Sequence, residues 1–206
     1  MTHHTRKSIA VAATIAILAI AYYGSFLPLR KSQLFIHALR TVGQARSFPE
    51  FAEAMSVPLD APSPIGQEEL VRNMGNYLVN IIRGNAQNPE LVAAVMQYME
   101  RYYAPILARG RGMSYEQNLF VLGTASEFAF IKTNNPQYLA AAKRYYLQGF
   151  SLGPNRPQPL YGLLDVYRME GDLDRAIEMG EKIVSLWPSD ERTKGVLEEL
   201  KGDKRP

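Results

Sequence analysis

The sequence predicts an all-α fold, one transmembrane helix followed by an α-α superhelix of helical hairpins. Three observations carry this expectation. An uncharged apolar run from Ser8 to Leu29 opens the chain. Beyond it, apolar residues recur every three or four positions, and no stretch alternates long enough to build a sheet. Lastly, Pro154 and Pro188, each closing a helix-like segment, stand 34 residues apart.

The 22 residues of the opening run make about 33 Å of helix at 1.5 Å per residue. That is enough to cross a hydrocarbon core of roughly 30 Å. Tyr22, Tyr23 and Phe26 sit toward one end, where amphipathic rings favour the interface, and Arg30 and Lys31 stop the segment. The rival reading is a cleaved signal peptide, with Met1–Lys7 as leader and Ala19-Ile20-Ala21 as the small-residue site. The apolar run continues past that site, which favours an uncleaved anchor. Basic residues flank the run on both sides, so the sequence gives no orientation.

Charge narrows the partners. The chain carries 23 Lys+Arg against 20 Asp+Glu, and four of the cations (Arg6, Lys7, Arg30, Lys31) flank the anchor. The rest is close to neutral, so a nucleic-acid partner is not expected. With no cysteine and three histidines, neither thiolate chemistry nor a metal site is expected, and no cofactor is.

After the anchor the expected helices are 31–45, 47–57, 64–84, 88–109, 114–133, 136–152, 157–170, 173–187 and 190–201. Their starts carry capping chemistry. "SFPE" at Ser47 and "SYEQ" at Ser114 are capping boxes, and Asn88-Pro89 and Asn135-Pro136 pair an N-cap with a proline in the first turn. Gly171-Asp172 joins a left-handed stop to a new N-cap. "SVPLDAPSPIG", Ser56 to Gly66, is the one irregular linker. The helices pair as four hairpins plus a last polar-sided capping helix. This divides the chain into an anchor (1–30), irregular hairpins (31–110), and two repeats with their cap (111–206).

The last hairpin resembles a tetratricopeptide repeat, a unit of about 34 residues with small residues at the crossing of its two helices. Leu160, Leu163 and Tyr167 match large first-helix positions, Ala176 the small crossing position, and Pro188 the close. One repeat earlier Ala142, Tyr146, Gly149 and Pro154 correspond. Leu164 stands where glycine is more typical, and Ile183 replaces a small residue. The resemblance covers 114–154 and 157–188, while 31–57 and 64–109 are repeat-like only. It implies a groove on the first-helix faces, which places Tyr161, Asp165 and Arg168 there, with Glu127 and Asn134 34 residues before Tyr161 and Arg168.

A second resemblance rests on "APSPIGQEELVRNMGN" (61–76), "RGRGMSYEQNLFVLG" (109–123) and "GPNRPQPLYGLLDVYRMEGD" (153–172). These look like the soluble repeat tail of some bacterial O-antigen ligase or polymerase-type membrane proteins. That family has many membrane helices where this chain has one.

No catalytic residue is predicted. His37 reads as a partly buried packing residue, "RGRG" (109–112) as a helix stop plus linker, and Glu68-Glu69 and Glu198-Glu199 as solvated faces. Tyr102-Tyr103 and Tyr145-Tyr146 could form an aromatic sugar platform, although at helical spacing one of each pair reads as packing, and Trp187 reads as core. The resemblances together imply a non-enzymatic scaffold or assembly factor, membrane-bound through residues 8–29 and facing a membrane-associated protein partner. A single-pass protein of a bacterial inner membrane is the expected setting. The alternative is an accessory subunit of an envelope-glycan enzyme.

Overall fold

The computed structural model describes residues 3–84 and 88–203, and among them every regular element is helical. The helices are α1 (His3–Ala21), a π-helical turn (Tyr22–Phe26), α2 (Leu27–Val42), α3 (Phe48–Asp60), α4 (Gln67–Gly84), α5 (Pro89–Arg109), α6 (Tyr115–Thr133), α7 (Pro136–Leu152), α8 (Pro157–Glu170), α9 (Leu173–Leu186) and α10 (Glu191–Asp203). Contacts separate two compact units, Met1–Met74 and Gly75–Pro206, with the boundary inside α4.

In the first unit, Thr5–Val42 is one continuous helix of 38 residues, long and apolar enough to cross a membrane. The sequence suggested a new helix at 31, but the apolar helix runs on without a break. Pro28 supplies the reason. It has no N–H for the carbonyl four residues back, and its ring crowds that turn. The chain widens just before it, so that the Leu27 N–H reaches Tyr22 O, five residues back. The apolar side chains Ile9 to Phe26 are exposed along this helix, whereas Leu27 is buried. From there Leu27, Lys31, Phe35 and Ala38 form a buried stripe at helical spacing, and α3 packs on α2 through Phe51, Met55 and Leu59.

Lys31 is the unexpected member of that stripe. Only 3% exposed, it donates from Nζ to Ala61 O at 2.6 Å and to Gln67 Oε1. A buried ammonium persists only where its protons are received, and the Ala61 carbonyl after α3 and the Gln67 side-chain amide at the start of α4 receive them. His37, one residue off the stripe, is exposed and lines a cavity of about 440 Å³ between α2 and α3. The expectation of partial burial there is corrected.

The cap chemistry is largely as read. Ser47, Asn88, Asn135 and Asp172 each accept a backbone N–H of the first turn of α3, α5, α7 and α9. Gly110, Asn134 and Gly171 end α5, α6 and α8 in the left-handed conformation, with φ of 64°, 53° and 74°. Ser114 differs, since its side chain makes no cap bond. Instead its carbonyl receives both Asn118 N at 2.9 Å and Asn118 Nδ2 at 3.0 Å.

In the second unit each helix from α5 to α10 packs on the next, and α6 also touches α8. Leu160, Leu163, Tyr167 and Ile183 fill the core with Leu139, and Ala176, fully buried, lets α9 approach α8. Tyr146 of α7 is set into this core between Gly123 of α6 and Gly162 of α8. A Cβ on either glycine would come to 2.5 Å from the ring. The two glycines are therefore a slot cut for one aromatic side chain.

Candidate binding face

Helices α6, α8 and α10 enclose a depression of about 440 Å³. Its polar lining is Glu127 from α6, Asp165 and Arg168 from α8, and Glu199 from α10, over apolar Ile131 and Leu200. One turn separates Glu127 from Ile131, and Asp165 from Arg168, so each helix turns a short stripe toward the same space. Arg168 lies 3.5 Å from Asp165 Oδ1 and 3.9 Å from Glu199 Oε2. Neither ion pair is tight or deeply buried, so both hold little energy and can exchange for a ligand's charges.

The carboxylates are less ordinary. Burial pushes Glu127 up to about 7, and nearby Asp165 adds to this, while the Tyr146 hydroxyl, donating at 2.7 Å, pulls it partly back. Burial also raises Asp165, against the pull of Arg168 and Arg192. Tyr146 is raised by burial first and then by the Glu127 charge, so its hydroxyl remains a donor. Thr124 Oγ1 lies 3.2 Å from the same hydroxyl.

Of the five residues expected in the groove, Glu127, Asp165 and Arg168 meet in the depression. Tyr161 does not line it. Its ring stacks on Trp187 with centroids 6.3 Å apart, and its hydroxyl donates to Asp190 at 2.5 Å. Asp190 in turn caps α10, accepting from Thr193 N at 3.1 Å and Thr193 Oγ1 at 2.6 Å, which holds its carboxyl down at about 2. Tyr161 thus fastens α8 to the α9–α10 turn. Asn134 does not line the depression either. It ends α6, donating its N–H to Phe130 O at 2.7 Å.

The sequence alone marks neither Glu199, which reads as solvated, nor the hydroxyl of Tyr146, whose ring reads as packing. Glu199 is indeed well exposed, yet it stands on the rim. The signal for Tyr146 was the pair of glycines, one in each neighbouring helix, with no turn to explain them. Of the tyrosine pairs, Tyr102, Tyr103 and Tyr146 are buried, and Tyr145 is the half-buried member. Tyr145 lines another cavity, of about 620 Å³, with Tyr138 of α7 and Met96 and Gln97 of α5. Among the described residues, no group of three or more His, Cys, Asp or Glu side chains is placed to hold a metal ion. No protein-family model and no curated protein matches the chain.

Proposed function

We propose that this chain is a membrane-anchored tetratricopeptide-repeat-type scaffold, single-pass in a bacterial inner membrane, that binds a protein segment across α6, α8 and α10. The observation that carries the reading is the meeting of Glu127, Asp165 and Arg168 from two successive hairpins in one depression. A mixed-charge hollow with an apolar floor suits a polar peptide segment, whose amides and side chains can exchange with loose ion pairs. The anchor, residues 8–29, tethers the chain to the bilayer and raises the local concentration of membrane-associated partners, so a modest groove affinity suffices. In this reading the chain is non-enzymatic and takes no cofactor.

The test is cross-linking in intact cells, followed by detergent extraction and identification of what co-purifies with the full chain and with Asp165→Ala/Arg168→Ala. Partners recovered with the wild type and depleted at least tenfold in the double variant support the scaffold. A partner set unchanged by the double variant overturns the groove assignment. Recovery of one multi-spanning glycan enzyme as the dominant partner selects the accessory-subunit alternative.

A further inference from the structure

We propose that Glu127 and the Tyr146 wedge form a proton-controlled joint between the hairpins α6–α7 and α8–α9, tight while the Glu127 carboxyl holds its proton and loosened when it ionises. The geometry begins at the ring. Tyr146 belongs to α7, but its slot is walled by Gly123 of α6 and Gly162 of α8, so one side chain spans the seam of both hairpins. Its hydroxyl donates at 2.7 Å to Oε2 of Glu127, which lines the depression. The seam and the depression therefore share one hydrogen bond.

The charges around that bond decide which protonation state the closed seam prefers. Facing Glu127 are the neutral Tyr146 hydroxyl from α7, Asp165 and Arg168 from α8, and Glu199 from α10, while Arg192 of α10 acts on Asp165. Arg168 is engaged by Asp165 and Glu199, and among the described residues no cation is paired with Glu127. An ionised Glu127 gains from the Tyr146 hydroxyl but must shed water beside a second carboxylate. Burial outweighs the hydrogen bond, and Glu127 is raised to about 7 from an ordinary 4.5. In the open or unfolded chain the proton leaves at the ordinary value. The closed seam therefore holds its full stability below about 4.5 and loses the Glu127 share of it as pH rises toward 7, after which the dependence flattens.

Loosening separates α6, which carries Glu127, from α8, which carries Asp165 and Arg168, and it adds one negative charge to the hollow. The consequence for a partner rests on the binding face proposed above. The joint itself does not, and its test needs no partner.

The experiment is hydrogen exchange on the full chain in detergent micelles from pH 5.5 to 8.5, corrected for intrinsic rates, with α2–α3 as internal reference. In the wild type, exchange in α8 and α9 should rise by up to about tenfold per pH unit as pH approaches 7 and then level off. Glu127→Gln should stay protected and flat throughout. Tyr146→Phe keeps the ring in its slot and removes the donor that favours ionised Glu127, so its midpoint should move to higher pH. A mere packing role for Tyr146 would not move that midpoint. A flat wild-type profile, or the same pH dependence in Glu127→Gln, overturns the proposal. Failure of partner capture with an intact pH response would sink the binding face and leave the joint standing.

Discussion

Gly123 and Gly162 show how much one missing methyl group can decide. In a helix interior glycine is less favourable than alanine by about 1 kcal/mol, so an exposed site would gain from Gly→Ala. Here the added Cβ overlaps the Tyr146 ring at both positions. Gly162→Ala should lower stability by about 1–3 kcal/mol, and in a Tyr146→Ala background most of that loss should vanish, because the overlapping ring is gone. Thermal melts of the four proteins of this cycle give the coupling, and additive losses would refute the slot. Asp190 offers a contrasting residue-scale case. Its carboxyl is held at about 2, below the usual 3.8, by Thr193 and Tyr161. It therefore contributes stability above pH 4 that is lost as pH falls toward 2, and Asp190→Ala should cost about 1 kcal/mol through the lost cap. Tyr161→Phe should remove part of the same increment, since both act on one carboxylate. Denaturant titrations at pH 7 and pH 2.5 check the pair, and the gap between the variants and the wild type should narrow at the lower pH, where part of the Asp190 contribution is already lost.

At the scale of the element, the sequence was read best where a side chain acts on its own backbone. Asn88, Asn135 and Asp172 sit at helix starts because a short acceptor can reach the free amides of the next turn, and that chemistry is visible without a fold. Proline was read less well, because its effect depends on what surrounds it. The expected end at residue 57 gives way to a helix that runs to Asp60, with Pro58 buried inside its last turns. Pro28, in the last turn of the uncharged run, sits inside a continuous helix, its missing bond absorbed by the π turn. Replacing Pro28 by alanine restores an ordinary donor, and the π turn should relax to α-helix. One residue is then taken out of the winding, which turns the anchor by about 100° relative to α2. Spin labels placed singly from Ile9 to Leu18 should show their lipid-facing phase displaced by that angle. An unchanged phase would mean that Pro28 is not the cause of the turn.

Across the whole chain, the 34-residue interval carried the candidate site only as far as the repeat itself extends. It linked Glu127 to the first-helix face of the last hairpin because both helices occupy the same place in successive units. It could not reach Glu199, since α10 follows α9 outside the repeat spacing. It also could not tell that Tyr161 and Asn134 are spent on fastening and ending their helices, which depends on where Trp187, Asp190 and the left-handed backbone fall. For the N-terminus the expected behaviour is simple. The intact chain should resist carbonate extraction from membranes, and its mass should include residues 1–30. A mature form beginning after Ala21 would establish cleavage instead.

The buried ammonium of Lys31 has a mechanical meaning. It ties the end of α3 and the start of α4 to α2, in the same unbroken helix that carries the apolar span, and α3 packs on α2 as well. No flexible link lies between the apolar span and the first hairpin, so the pair behaves as a mast with a crosspiece lashed to it. Transmembrane helices lean by about 20° on average, and by more when the bilayer is thinner than their apolar length. In the proposed membrane setting, whatever lean the bilayer imposes on the mast, the crosspiece swings through the same angle.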